Sequence, residues 1–246
     1  MTVTYIYHSC CAIEFDDFSI IIDYYIDSIK DGEETGWVSQ HLLQNDKPLY
    51  VLCTHSHGDH FNEKILSWDK ERENITYLFS KEIVDTLTDN SLLKDEKIIY
   101  LDKFEEYRDD NIMVKAFGST DAGASFYIEH KKKKLFHAGD LNNWHWNEEV
   151  PRDEAFVYEN QYICELELLF EQVKKLDVAM FPIDPRLGKD FLRGGEQFVH
   201  KIKTKHFMPI HFGDNYEKIQ QFEPIARKAK TKLLKLEHTA QSFKLK

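Results

Sequence analysis

Four residues of the types that bind metal ions lie within six positions in the first quarter of the chain. Residues 55–60 read His-Ser-His-Gly-Asp-His, just after the apolar run at 50–53. Histidines two positions apart cannot share a helix face, so His55 and His57 must converge from extended or loop backbone. Imidazole and carboxylate together suit zinc, iron or manganese. The alternative, a polar loop with unrelated surface histidines, needs all four residues to coincide in register. The motif therefore predicts a metal site on a loop that follows a buried strand.

Length and composition favour one folding unit. The chain has 246 residues, of which 42% are hydrophobic, and large α/β and sandwich folds reach this length as one domain. No linker or low-complexity segment interrupts it. We therefore predict a single domain over residues 1–246.

Charge and cysteine usage narrow the choice of partners and compartment. A formal net charge of −11 disfavours a long nucleic-acid track or an anionic membrane surface. No apolar run approaches the roughly 20 residues of a membrane helix, and the N-terminal residues resemble a strand more than a secretory signal. The four cysteines show no disulfide or zinc-ribbon spacing. We expect a cytoplasmic protein with a small-molecule substrate, and no nucleic-acid or membrane partner.

Strand-like and helix-like segments form two successive blocks. The pattern includes a polar loop over 31–36, a helix over 81–87 and a strand over 97–101. Apolar residues at 163, 166, 169, 170, 173 and 176 predict the longest helix. Lysines 131–134 separate two apolar runs and are interpreted as a solvated hairpin turn, with an anion-binding patch as the alternative. Strands packed inside with helices on both sides fit this pattern.

Two later strands also end in potential ligands. The segment 135–138 is followed by Gly139 and Asp140, and the glycine permits a tight turn that presents the carboxylate. The segment 207–210 ends at His211. Taken alone, each is equally explained as an ordinary turn aspartate or strand-end histidine. Their order after the histidine loop favours a shared site.

This order of segments resembles the metallo-β-lactamase superfamily of metal-dependent hydrolases. Thr-His-Ser-His-Gly-Asp-His at 54–60, Gly-Asp at 139–140 and Pro-Ile-His-Phe at 209–212 match the family's pattern over nearly the whole chain. The opening strand followed by His8-Ser9-Cys10, and the hairpin ending in Asp23, look like the branch that includes the L-ascorbate-6-phosphate lactonases. The resemblance implies an α/β fold, the αββα four-layer metallo-β-lactamase-type sandwich, with the metal site at one edge between the sheets.

The resemblance also implies roles for individual residues. The implied cofactor is one or two divalent metal ions, zinc first and manganese or iron as alternatives. The implied ligands are His55 and His57 for a first metal, Asp59, His60 and His211 for a second, and Asp140 as a bridge. The catalytic candidates are Asp59, which could transfer protons if it is not firmly coordinated, and His8 at the edge of the site. Asp23 would orient the histidine loop through hydrogen bonds.

One family residue is missing. The family usually supplies another histidine to the first metal from the segment before Gly139, but here residues 116–123 contain none. Asp121 could replace it, since carboxylate oxygen also binds these metals. As alternatives, Ser119 or Thr120 occupies that place and the first site is weak or empty, or His137 or His145 contributes.

Specificity must come from the surrounding loops. Trp144, His145 and Trp146 follow Asp140 closely and could form the wall of a small pocket, or a surface loop held by two half-buried tryptophans. Arg186 or Arg193 could pair with a substrate phosphate or carboxylate. A structural ion pair with a neighbouring aspartate is the alternative for either arginine.

These observations predict a metal-dependent hydrolase of small, anionic molecules. A bound divalent metal lowers the pKa of water towards ~7 and makes hydroxide available at neutral pH. Such chemistry suits lactone, amide, thioester or phosphodiester hydrolysis, and the ligand set does not choose among them. The resemblance implies a lactone or phosphoester bond. The alternatives are a degenerate member that binds metal or ligand without turnover, and a nucleic-acid phosphodiesterase, which the net charge disfavours.

Overall fold

Within the described part of the chain, two seven-stranded sheets form the centre of the molecule. The computed structural model describes residues 1–30, 32–70, 72–86 and 98–246. The strands in chain order are β1 Thr2–Tyr7, β2 Cys10–Glu14, β3 Ser19–Ile22, β4 Ile29–Lys30, β5 Glu33–Glu34, β6 Leu49–Cys53, β7 Ile75–Ser80, β8 Ile98–Leu101, β9 Glu106–Arg108, β10 Met113–Phe117, β11 Ser125–His130, β12 Lys133–His137, β13 Lys175–Pro182, β14 Lys203–Ile210, β15 Lys232–Leu233 and β16 Gln241–Lys244. The short strands β4 and β5 pair only with each other.

Helices connect and cover these strands. The α-helices are α1 Arg152–Gln172, α2 Arg193–Lys201, α3 Tyr216–Ile219 and α4 Glu223–Lys228. Shorter helical segments span Val38–Leu42, Glu63–Lys70, Lys81–Asp85, Pro185–Asp190 and Gln220–Phe222. None of the helices in the described residues has the length and apolar character of a membrane span.

The two sheets have matching pairing patterns. Their strand orders are β16-β1-β2-β3-β6-β7-β8 and β15-β14-β13-β12-β11-β10-β9. In the first sheet, the pairings from β16 to β3 are antiparallel and those from β3 to β8 are parallel. In the second, the pairings from β9 to β12 are antiparallel and those from β12 to β15 are parallel. As a result, β1, β3 and β6 run in one common direction in their sheet, as do β10, β12, β13 and β14 in theirs.

The apolar core separates into two clusters because strand side chains alternate between faces. Ile20 and Ile22 belong to the larger cluster, which joins the two sheets and includes Phe126 of the second sheet. Ile21 between them belongs to the smaller cluster on the outer face of the first sheet, with Trp68. This two-sided burial confirms the predicted αββα sandwich.

Some local predictions are confirmed and others differ. Lys131 and Lys132 form the two-residue turn of the β11–β12 hairpin, as predicted. The longest helix begins at Arg152 and ends at Gln172, so Leu176, predicted on that helix, lies on β13. Its first turns are mostly exposed and carry little apolar periodicity, which is why the pattern placed it too late. Positions 31, 87 and 97 of the predicted loop, helix and strand lie outside the described residues.

Candidate metal centre

The candidate ligands lie where strands of common direction end. His8 follows β1, the histidine loop follows β6, and Asp140 and His211 follow β12 and β14. Because the carboxyl ends of parallel strands meet at one edge of a sheet, these residues converge there. Asp121 joins them from the connection after β10.

One group of side chains surrounds the Asp140 carboxylate on the side of His60 and His211. Asp140 Oδ1 is 3.2 Å from His60 Nε2 and 3.4 Å from His211 Nε2. Asp59 Oδ2 lies 3.6 Å from His211 Nε2 and 3.3 Å from His8 Nε2. The ligand-type atoms of His8, Asp59, His60 and His211 all lie within 4.8 Å of one another. We call these four residues the inner cluster.

A second group lies on the other side of the same carboxylate. Asp140 Oδ2 is 3.5 Å from His55 Nε2, which in turn is 3.1 Å from His57 Nδ1. Asp121 Oδ2 is 3.5 Å from His57 Nδ1. We call His55, His57 and Asp121 the outer cluster. The structure therefore places Asp121 beside the histidine loop and Asp140 between the two clusters.

A buried carboxylate holds the histidine loop in place. Asp23 accepts hydrogen bonds from the Thr54 amide and hydroxyl, each at 2.8 Å, and from His60 Nδ1 at 2.9 Å. Burial alone would raise its pKa, but the nearby imidazoles of His137 and His60 bring that pKa below its usual value. An ionised Asp23 can only accept, so Nδ1 of His60 carries a proton and Nε2 is the ring atom that faces Asp140.

Asp184 performs the same task for His211, and sequence reasoning missed this role. Its Oδ2 is 3.0 Å from His211 Nδ1. It also forms a bidentate ion pair with Arg186, whose Nε donates to Oδ1 at 3.1 Å and whose Nη2 donates to Oδ2 at 2.6 Å. The position of Asp184 at the end of β13, between β12 and β14, was the available signal. We had considered this aspartate only as an ion-pair partner for Arg186.

The charges in the site are strongly coupled. Burial lowers the pKa of His60 and His211, but the Asp140 carboxylate outweighs it and raises them to about 10 and about 9. The imidazoles of His211 and His8, 3.6 Å and 3.3 Å away, hold the pKa of Asp59 well below its usual range. The pKa of Asp140 is also lowered, because the surrounding imidazoles outweigh burial. The carboxylates are therefore ionised at neutral pH, while the imidazoles must release protons to bind a metal.

The residues present fit a divalent cation. His8 Nε2, His60 Nε2 and Asp140 Oδ1 are buried and have no hydrogen-bond partner among the described residues. Such groups are rare in folded proteins and each calls for an explanation. Imidazole nitrogens and carboxylate oxygens pointing at one another are the donor set of zinc, manganese and iron sites.

A cleft of about 360 Å³ opens beside the clusters. Among its lining residues are Asp121, Asp140, His211, Trp144, Trp146 and Arg186. The two indoles stack with ring centroids 6.2 Å apart, and Trp144 Nε1 donates to the Asp140 carbonyl at 2.8 Å. Tyr158 and Gln161 of α1 also line the cleft, and sequence reasoning did not identify them.

His145 and His137, which the sequence offers as alternative ligands, contact other groups. The buried ring of His145 places Nε2 3.2 Å from the Asp190 carbonyl, and Nδ1 accepts from the Asn147 amide at 3.1 Å. His137 Nε2 lies 2.9 Å from the Ser9 carbonyl, and its Nδ1 accepts from Gly139 at 3.1 Å. Since both nitrogens of each ring contact backbone groups, the structure places neither ring as a ligand, and His145 does not take the pocket-wall position we expected.

Comparison with known proteins identifies the family. Residues 2–211 match the family described as the beta-lactamase superfamily domain, and the chain belongs to this superfamily. It is 25% identical over 219 residues to the UPF0173 metal-dependent hydrolase of Natranaerobius thermophilus, covering 86% of this chain and 83% of that protein.

Solved structures share the fold. Igni18, a metallo hydrolase of Ignicoccus hospitalis, superposes with a TM-score of 0.69 at 16% identity, covering 100% of this chain and 99% of that one. CmlA, a diiron beta-hydroxylase of Streptomyces venezuelae, gives 0.67 at 13% identity, covering 99% of this chain and 54% of that one. Because one fold carries both activities, function must be argued from the site.

Proposed function

We propose that this chain is a metal-dependent hydrolase acting on a small, anionic substrate. The observation that carries the proposal is the convergence of buried nitrogen and oxygen atoms, without hydrogen-bond partners among the described residues, on the inner-cluster side of Asp140, with further ligand-type side chains on its other side. This arrangement lies at the wall of an open cleft, so that a substrate can reach it. The membership of the chain in the β-lactamase superfamily supports the same reading.

The residues of the chain supply ligands, orientation and a route for protons. A divalent cation held there would provide Lewis acidity and an activated water at neutral pH. Asp140 lies between the inner and outer clusters and can bind on both sides. Asp23 and Asp184 fix the ring orientations of His60 and His211. The side chain of Asp59 is 44% exposed, which lets it exchange a proton with solvent or a leaving group.

The cleft favours a small substrate that carries negative charge. The stacked indoles of Trp144 and Trp146 offer an apolar wall, and Arg186, with a side chain 63% exposed, offers a guanidinium next to it. Two divalent cations would outweigh the carboxylates of Asp59, Asp121 and Asp140. A lactone or phosphoester is therefore the proposed substrate class, as in the L-ascorbate-6-phosphate lactonase branch that the N-terminal motifs resemble.

We further propose zinc as the metal, a single domain, and a cytoplasmic location. The mixture of imidazole and carboxylate donors suits zinc, with manganese or iron as substitutes. Cys10, Cys11 and Cys53 are buried as free thiols, which fits a reducing compartment.

Hydrolysis by metal-loaded protein tests the proposal. Protein stripped with chelator would be reloaded with zinc, manganese or iron(II) and offered an aliphatic lactone, a phosphomonoester and a phosphodiester. We expect at least one substrate to be hydrolysed, with the activity lost on chelation and absent in His60→Ala and Asp140→Ala. The control is His200→Ala, which removes an exposed histidine of α2 whose Nδ1 lies 2.9 Å from the Glu196 carbonyl of the same helix.

The outcomes separate the alternatives. Full activity in either site variant would contradict the proposal. Metal binding without turnover of any of the three substrates would indicate a binding role. Salt-sensitive cleavage restricted to the phosphodiester would instead indicate nucleic-acid processing.

A further inference from the structure

The backbone fixes His8 beside the inner cluster. This residue forms the turn between β1 and β2, with φ of 53°, a left-handed conformation that non-glycine residues rarely adopt and that gathers at functional sites. Its amide donates to Tyr5 Oη at 2.9 Å, and its carbonyl accepts from the His211 amide at 3.0 Å. His211 also has a positive φ, of 61°. Two constrained histidines are therefore tied to each other through the main chain.

The ring of His8 points into the inner cluster. Its Nε2 is 3.3 Å from Asp59 Oδ2, and its centroid is 4.2 Å from that of His211. This nitrogen is buried, and no group in the described part of the chain is its hydrogen-bond partner. With His8 included, the cluster contains three imidazoles and one carboxylate, the donor types that zinc sites use.

Hydrogen bonding alone does not explain this packing. Asp59 Oδ2 faces three imidazole nitrogens, those of His8 at 3.3 Å, His211 at 3.6 Å and His60 at 4.0 Å. The His211 and His60 separations are longer than the roughly 2.7–3.2 Å of a hydrogen bond, so hydrogen bonds to Asp59 do not hold all three rings in place. A single cation among these atoms can bind all of them at once.

The outer cluster is built differently. His57 and Asp121 have side chains that are each 51% exposed, and residues 116–123 lack the family histidine. The outer cluster therefore contains two imidazoles where the inner cluster contains three, and packing restrains its side chains less. Rigid, pre-oriented ligands bind a cation more tightly than mobile ones.

We infer that His8 is a direct metal ligand. We also infer an order of filling: the inner cluster binds a cation first and tightly, and the outer cluster with His55 and His57 then binds a second cation more weakly. This inference rests on the proposed function, since it requires that the site binds divalent cations. It goes beyond that function by making turnover depend on the free metal concentration, through the weakly held second ion.

X-ray absorption on the full chain loaded with one equivalent of zinc tests the ligand assignment without a mutation. We expect three imidazoles around the ion. Two imidazoles in the parent protein would overturn the inference but leave the proposed function intact. Failure of the parent to bind any divalent cation would overturn both.

Chelator competition on variants gives an independent readout. In His8→Ala, we expect the first affinity to fall by more than about 100-fold, because loss of a residue that only orients a ligand costs about 10–100-fold, and the imidazole count to fall by one. His57→Ala is the matched control and should weaken only the second ion. Denaturant unfolding of the metal-free proteins checks that both variants fold. An unchanged imidazole count in a folded His8→Ala would overturn the assignment.

Discussion

Asp23 tests how far one buried carboxylate controls the metal centre. The change Asp23→Asn keeps the shape of the side chain but replaces a pure acceptor with one acceptor and one donor. The oxygen can still accept from the Thr54 amide, now 2.8 Å away. The amide group would face His60 Nδ1, which would then have to accept, so that the ring proton would move to Nε2.

The expected size of the effect follows from these contacts. Asp23 accepts three hydrogen bonds while ionised, and a bond to a charged group contributes about 1 kcal/mol more than a neutral one. We therefore expect the metal-free variant to lose about 3 kcal/mol of stability. A proton on Nε2 blocks a ligand atom, and loss of such an orienting partner weakens metal binding by about 10–100-fold.

Two assays measure these effects. Urea unfolding of metal-free protein, followed by tryptophan fluorescence, gives the stability change, and chelator competition gives the metal affinity. The control is Asp17→Asn, which removes an exposed aspartate paired with exposed Lys131 at 3.3 Å and should cost less than about 1 kcal/mol. If Asp23→Asn binds metal as tightly as the parent, the reasoning about the His60 proton is refuted.

Three further predictions concern a turn, the cleft and pH. Gly123→Ala should destabilise the protein by more than about 2 kcal/mol in urea unfolding, because φ is +62° and the new Cβ would meet a backbone carbonyl oxygen at 2.0 Å. The control is Gly213→Ala, where φ is +56° but the nearest atom to the new Cβ is 4.0 Å away. It should lose less stability than Gly123→Ala. Arg186→Gln should raise KM for an anionic substrate without lowering bound metal, and an unchanged KM would remove this residue from substrate binding. In the folded protein, His60 and His211 have pKa values of about 10 and about 9, above the roughly 6.5 of a histidine in an unfolded chain. Their protonated rings therefore stabilise the metal-free protein fully below about pH 6.5, and this stabilisation is lost as pH rises towards 9 or 10. Urea midpoints of metal-free protein measured across this pH range should fall as pH rises. A midpoint that rises with pH would contradict the prediction.

The sequence predicted the sheet edge and the residues on it for a simple reason. Each of His55, Asp140 and His211 follows a short apolar run, and such a run bounded by polar residues indicates a buried strand. Strands of common direction bring their ends together, so the order of these segments already contained the site.

Contacts that depend on the partners of one side chain could not be predicted in this way. His145 and His57 are both histidines that the sequence offers as possible ligands. Both ring nitrogens of His145 contact backbone groups, whereas Nδ1 of His57 lies 3.5 Å from Asp121 Oδ2. The role of Asp184 depends on the adjacency of β13 and β14, which is a long-range pairing. Tyr158 and Gln161 line the cleft from a helix whose first turns carry no apolar pattern, so nothing local distinguished them from surface residues.

The metal content of the chain tests the central claim most directly. Elemental analysis would be made on protein purified without added metal or chelator, for the parent and for Asp121→Ala and Asp140→Ala. The account predicts one to two divalent ions per chain in the parent, loss of only the second ion in Asp121→Ala, and loss of most bound metal in Asp140→Ala. A parent without bound metal that also fails to take up zinc, manganese or iron(II), or an Asp140→Ala variant that retains the full content, would contradict it.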